Sequence, residues 1–240
     1  GALYGRTSDP RHHELVQDIL LELHENGFLI QETMEQFCSV ADDGGIKFLP
    51  DRYVQGVCPA CSAEGARGDQ CDACGATYEA NELKDPVSKL NPEIPVEIRE
   101  TDHLFFRLDL LQDDLETHAA SRRSTWKPNV RAMTQNWLNM GLRPRAVTRD
   151  IEWGVKIPLD DEVWGEKRVY VWFDAVQGYL TCARIWSERI AEESGSESDI
   201  WRRWWMDSGN LRHIYFMGKD NIPFHTIIWP GILMALNRGR

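Results

Sequence analysis

Nowhere in the 240 residues do about 18 apolar positions run consecutively, the length a membrane-spanning helix needs. The opening, GALYGRTSDP, also lacks the basic-then-apolar layout of a secretion leader. A soluble, cytoplasmic protein with no membrane partner is expected. Positive charge is in the minority: 27 Lys and Arg stand against 38 Asp and Glu, a net charge of −11. That balance excludes a simple coat for nucleic acid or for an anionic membrane, so any polyanion must be met by a local patch. Cysteine is sparse at six, and no Ser-His-Asp constellation for nucleophilic chemistry is visible.

With 42% hydrophobic residues the chain is globular in composition and long enough for one or two domains with a real core. Asp9-Pro10, then Leu15, Val16, Ile19, Leu20 and Leu23, then Gly27, predict an amphipathic helix with an N-cap, a proline in its first turn and a C′ glycine. Pro128 starts a second helical series (Val130, Met133, Trp137, Leu138) that Gly141 closes. Between them, from Phe48 to about Leu108, the pattern is short, punctuated by Pro and Gly and Cys-bearing, ending in the strand-like His103–Leu108. It reads as a small β-rich module.

Arg168–Phe173 and His213–Phe216 read as strands, each followed by a helix face. The faces are Val176, Tyr179, Leu180, Ala183 and Trp186 in the first case, and Phe224, Ile227, Ile228, Ile232 and Ala235 in the second, where Pro230 predicts a kink. Strand-then-helix units point to a parallel sheet with helices on its faces, although two or three strands are too few for a complete open sheet. Charge is segregated: Thr117 to Arg149 holds Arg122, Arg123, Lys127, Arg131, Arg143, Arg145 and Arg149 and no acidic residue. That segment is either a track for phosphates or a solvated basic face.

Cys58-x2-Cys61 and Cys71-x2-Cys74, nine residues apart, can present four thiolates tetrahedrally to Zn²⁺. A four-cysteine site leaves no position for water, so the metal is structural and not hydrolytic. Gly56 and Gly75 flank the pairs and are expected to allow the turns that aim backbone N–H groups at sulfur. The alternative, disulfides or a redox pair, needs an oxidising compartment. Cys38 and Cys182 stand alone in apolar contexts and carry no assigned chemistry. His12, His13, His24, His103, His118 and His213 show no ligand spacing, so solvent or structural roles are their default.

Several strings fall in a recognisable order: Leu49-Pro50-Asp51-Arg52-Tyr53, Cys58-Pro59-x-Cys61, Gly68-Asp69-x-Cys71, Cys74-Gly75, Tyr170-Val171-Trp172-Phe173-Asp174-Ala175 and Gly218-Lys219-Asp220-Asn221. In order and spacing the chain resembles the methionyl-tRNA synthetases, specifically their bacterial branch. The resemblance implies an α/β fold: a partial class I synthetase Rossmann-type parallel sheet with an inserted zinc-knuckle connective-peptide domain. Residues 1–29 and 171–240 then resemble parts of the catalytic domain, and 30–170 the insertion with its knuckle at 58–74. Neither a His-x-Gly-His tetrapeptide nor a Lys-Met-Ser-Lys-Ser loop occurs. The expectation is an internal fragment that does not catalyse alone.

The same resemblance implies partners and roles. Methionine, ATP with Mg²⁺ and the acceptor end of tRNA(Met) are the implied partners, with one structural Zn²⁺ per chain. Trp172, Ala175 and Tyr179 are implied to line the methionine side-chain site, with Asn221 and His225 beside it. Gly218 and Asp220 are implied to meet the ATP ribose, and Arg149 to lie near the reaction centre, where a guanidinium can pair with carboxylate or phosphate. From the local sequence alone, the aromatic pair equally suits core packing, Lys219-Asp220 a solvated turn, and Arg149-Asp150 a surface ion pair. Val176, where many relatives have Pro, and Gln177 are expected to alter the pocket wall. Two other functions stay open: a non-catalytic zinc module that binds RNA or protein, and a sibling synthetase for Leu, Ile or Val.

Overall fold

The computed structural model describes residues 3–40, 45–49, 53–68, 71–74, 78, 80–195, 197–206 and 211–238. In chain order its elements begin with α1 (Pro10–Glu25), β1 (Leu29–Val40), β2 (Ile46–Phe48), β3 (Val54–Val57), β4 (Ala66–Arg67), β5 (Lys84–Ser88) and β6 (Val96–Phe106). There follow α2 (Gln112–Ser121), α3 (Pro128–Asn139), β7 (Arg145–Ala146), β8 (Thr148–Arg149), α4 (Asp161–Trp164) and β9 (Arg168–Val169). The last elements are α5 (Val171–Ala175), α6 (Gly178–Ser194), α7 (Arg202–Trp205) and α8 (Trp229–Arg238). The chain divides into two compact units, one of Gly1–Ile30, Phe105–Val147 and Trp153–Arg240, the other of Gln31–Leu104 and Thr148–Glu152.

In the first, helical unit, α1 forms where the sequence marks it. Asp9 Oδ1 accepts the Arg11 N–H at 3.0 Å, and Pro10 enters at the first turn. The other end closes in a paired motif: Gly27, at φ +76°, donates to the His24 carbonyl, and Phe28 donates to that of Leu23 at 2.9 Å. Leu15, Val16, Ile19, Leu20 and Leu23 are all buried, and α1 packs against α6 and α8. At roughly 1.5–3 kcal/mol for each large apolar side chain removed from water, this stripe is what holds the helix in place. α3 likewise starts at Pro128, with Gly141 at φ +77° beyond its end. Gly231 lets α8 approach closely, since a Cβ there would stand 3.1 Å from Leu108 Cδ2.

The second unit is β-rich, as the Cys-bearing stretch predicts. β3 pairs antiparallel with both β4 and β5, and β2 pairs antiparallel with β1 through Cys38 and Phe48. Its core is Phe37, Leu49, Val54, Cys58, Ala66, Cys71 and Leu83, so two of the four paired cysteines are themselves core residues.

Two local expectations are corrected. Only Arg168–Val169 of the predicted strand Arg168–Phe173 is extended in a strand; Val171–Ala175 turns into a helix, with Phe173 N–H bonded to the Tyr170 carbonyl at 2.8 Å. A short apolar run buried on several sides carries no usable period, so it fits strand and helix equally. His213–Phe216 has no ladder partner among the described residues; His213 and Tyr215 turn to an aromatic cluster while Ile214 and Phe216 face solvent. Before Pro230 the chain forms a π turn, Phe224–Ile228, that leads into α8. Proline removes the N–H that would bond the Thr226 carbonyl, and a wider turn absorbs the misfit.

Candidate functional site

The four paired cysteines converge. Their sulfurs all lie within 4.8 Å of one another, with Cys58 Sγ 3.9 Å from Cys74 Sγ and Cys61 Sγ 3.7 Å from Cys71 Sγ. Zn–S bonds of about 2.3 Å give a tetrahedron with edges of about 3.8 Å, close to those two separations, so the donor set suits zinc. The first knuckle is a tight turn in which Cys58 N–H bonds the Ala63 carbonyl and Ser62 N–H bonds that of Cys58. The residue with positive φ here is Ser62, at +59°. Gly56, expected to supply a turn, lies instead within β3, where a Cβ would stand 2.4 Å from the Lys84 carbonyl oxygen. It is required by close backbone approach. Gly75 and Asp69 lie outside the described residues.

The thiols are electronically unequal. Burial opposes ionisation of Cys58, but the N–H groups of Cys61 and Ala60 and the neighbouring thiols outweigh it and bring the group down to about 7. Cys61, despite the Ala63 backbone N–H, is pushed up to about 12 because its proton serves the thiolates of Cys74 and Cys58. A cluster that sheds its first proton near neutrality is ready for a divalent cation.

The second constellation belongs to the helical unit. Trp172 stacks on Phe224 with ring centroids 5.5 Å apart. Tyr179, near the start of α6, bonds His225 Nε2 at 2.7 Å and meets Tyr215 edge-on at 4.8 Å. His225 Nδ1 lies 2.8 Å from the Asn221 carbonyl and must donate to it, which leaves Nε2 to accept the Tyr179 hydroxyl proton. Burial raises the Tyr179 phenol above its ordinary range, so that proton stays in place. Trp172 and Tyr179 are 42% and 37% exposed, which separates them from packed core aromatics. Ala175 is half-buried at the end of α5, and Val176 and Gln177 beside it are buried. An open patch of ring faces with one phenol–imidazole pair suits an unbranched apolar chain bearing a soft sulfur.

Gly218 and Asp220 are exposed on the same unit, where an extended stretch meets a short 3₁₀ turn, Lys219–Asn221. The backbone of Gly218, φ −71°, is open to any residue; the space a Cβ would take is empty to 4 Å, leaving room for a ligand to approach. Asn221 contributes its carbonyl to His225 and caps no helix with its side chain. Arg149 lies in the other unit, where its guanidinium donates to the Thr148 carbonyl at 2.7 Å.

Sequence reasoning passed over Tyr215 and read Phe224 only as part of a helix face. The available signals were the adjacency of Phe224 to His225 and the alternation of His213 and Tyr215 with apolar neighbours. Apart from this cluster, a groove of about 840 Å³ runs along α2 and α3, walled in part by Glu116, Arg123, Trp126 and Arg131.

The sequence profile of the tRNA synthetases class I (M) matches residues 2–239. The chain belongs to this family of class I tRNA synthetases. It is 47% identical over 234 residues to the methionine–tRNA ligase of Thermoplasma acidophilum, a match covering 97% of this chain and 40% of that protein. With the ligase of a Roseiflexus species the identity is 48%, covering 97% and 39%; with that of Chlorobaculum tepidum it is 44%, covering 99% and 32%. The chain thus spans about two fifths or less of the length of these curated relatives. The fold is similar to that of Mycobacterium tuberculosis methionyl-tRNA synthetase bound by methionyl-adenylate, with a TM-score of 0.61 and 24% identity over 98% of this chain and 38% of that one. These synthetase relatives account for the mixed α/β architecture, and no helix among the described residues is long and apolar enough to cross a membrane.

Proposed function

We propose that this chain serves the methionine-activation step of a cytoplasmic methionine–tRNA ligase. The observation that carries the reading is the Trp172, Tyr179 and His225 constellation, half-exposed and hydrogen-bonded, in a chain of this family. In the reaction a methionine carboxylate oxygen attacks the α-phosphorus of ATP, and the bond to pyrophosphate breaks. The terminal ribose hydroxyl of tRNA then attacks the adenylate carbonyl and AMP leaves. No covalent bond to the enzyme is needed, so the protein positions reactants and stabilises charge.

In this reading Trp172, Ala175 and Tyr179 hold the thioether, with His225 locked by Asn221 at the floor. Gly218 leaves room for the ribose, whose hydroxyls Asp220 accepts. Arg149 pairs with carboxylate or phosphate oxygen. ATP arrives with Mg²⁺, which neutralises phosphate charge. Zinc on Cys58, Cys61, Cys71 and Cys74 closes the knuckle as a structural ion, in a compartment that keeps thiols reduced. We further assign 1–29 and 171–240 to the catalytic domain and 30–170 to the connective peptide. The acid-free stretch 117–149, whose Arg122, Arg123 and Lys127 are exposed, is the segment suited to tRNA phosphates.

The groove along α2 and α3, with Arg123 and Arg131 in its wall, favours a second reading, a non-catalytic zinc module that binds RNA or protein. Isothermal titration separates the two. Methionine binding that weakens with Trp172→Ala, and that Leu, Ile and Val do not compete away, supports the ligase. Binding of tRNA with no amino-acid binding supports the module.

A further inference from the structure

In the β-rich unit, buried polar groups gather on one ring, that of His103, which is fully buried. Its Nδ1 lies 2.9 Å from Thr148 Oγ1. Its Nε2 lies 3.0 Å from both Asp150 Oδ2 and Gln36 Oε1. Thr101 Oγ1 donates to the same Asp150 oxygen at 3.0 Å, and the Leu104 N–H donates to Thr148 Oγ1 at 3.0 Å. Protons can be assigned around this network. Thr148 Oγ1 already accepts from Leu104, so its own proton is available for Nδ1; Nε2–H then donates to the two oxygens opposite. A neutral imidazole satisfies every position.

The two residues so held flank Arg149. The strand is extended at Thr148–Arg149, and Thr148 and Asp150 both reach the same ring, so Arg149 between them is directed to the other side. We propose that His103 is the positioning residue for Arg149. Its two nitrogens fix the backbone on either side of that arginine and thereby set where the guanidinium is presented. This rests on the reading of Arg149 as a group that acts in adenylate formation. The imidazole suits the task because its two nitrogens point in divergent directions across a rigid ring, a span that one amide or hydroxyl cannot cover.

The experiment is a double-mutant cycle on ATP–pyrophosphate exchange in the full-length ligase. Arg149→Ala is expected to lower kcat about 100-fold, the scale of losing a charge-stabilising donor. His103→Phe keeps the ring and drops both bonds. It is expected to lower kcat about tenfold, with KM for methionine and zinc content unchanged, and to cost under about twofold once Arg149 is already Ala. Thr148→Val is expected to follow His103→Phe, and Thr148→Ser, which retains the hydroxyl, to restore the rate; this pair decides the matter if His103→Phe does not fold. An equal penalty from His103→Phe in both backgrounds, or none in the parent, overturns the positioning role while leaving Arg149 in place. Full activity of Arg149→Ala overturns the parent reading and the proposal with it.

Discussion

Chelation at the four-cysteine cluster is the sharpest perturbation this structure invites. Cys58 and Cys71 belong both to the four-sulfur cluster and, among the described residues, to a buried core cluster of seven, so a zinc ion held there would be joined directly to the core. A unit of about 80 residues with so small a core has little stability to spare. Zinc held at about a thousand times its dissociation constant stabilises the folded form by about 4 kcal/mol. For a domain of that size each kcal/mol moves the melting temperature by roughly 4–8 °C, so complete chelation should lower it by about 15–30 °C. The assay is a thermal melt with and without chelator, alongside metal analysis and near-ultraviolet circular dichroism. About one zinc per chain should leave with the chelator. Far-ultraviolet helical signal should largely persist, because α1, α2, α3, α6 and α8 lie in the helical unit. Gently purified, reduced protein without metal, or a melting temperature indifferent to chelation, would refute the reasoning.

Three further outcomes follow from the geometry. Tyr179→Phe removes the 2.7 Å bond to His225 and keeps the ring, so methionine affinity measured by calorimetry should fall about three- to tenfold, the worth of about 1 kcal/mol. Burial raises Asp174 to about 7 and lowers His12 to about 4. Between those values the fold keeps an Asp174 proton that the unfolded chain releases, so Asp174 erodes stability as pH rises, whereas His12 erodes it as pH falls below about 6.5. In urea melts Asp174→Asn should add up to about 4 kcal/mol at about pH 8, and His12→Gln should flatten the acid side; no change in either slope would discount these burials. Gly56→Ala should destabilise the β-rich unit by at least about 1–3 kcal/mol in the same assay, because its Cβ would stand 2.4 Å from the Lys84 carbonyl oxygen.

Much of this molecule is written locally. Asp9-Pro10 with Gly27, and Pro128 with Gly141, delimit two helices because caps and left-handed glycines act within a few residues of chain. The Cys-x2-Cys pairs announce their cluster because metal-ligand spacing is likewise a short-range property. The roles proposed for Trp172, Tyr179, Gly218 and Asp220 rest on the order of motifs along the chain. What tertiary structure alone decided lies in contacts between distant segments. Such contacts joined Phe224 and Tyr215 to the aromatic patch, turned 171–175 into helix and left 213–216 without a ladder partner among the described residues. They also brought His103 against Thr148 and Asp150. A short apolar run or a lone histidine has no period and no spacing of its own. Its conformation and partners are set by which surfaces close over it, and that is settled only when the whole chain has packed.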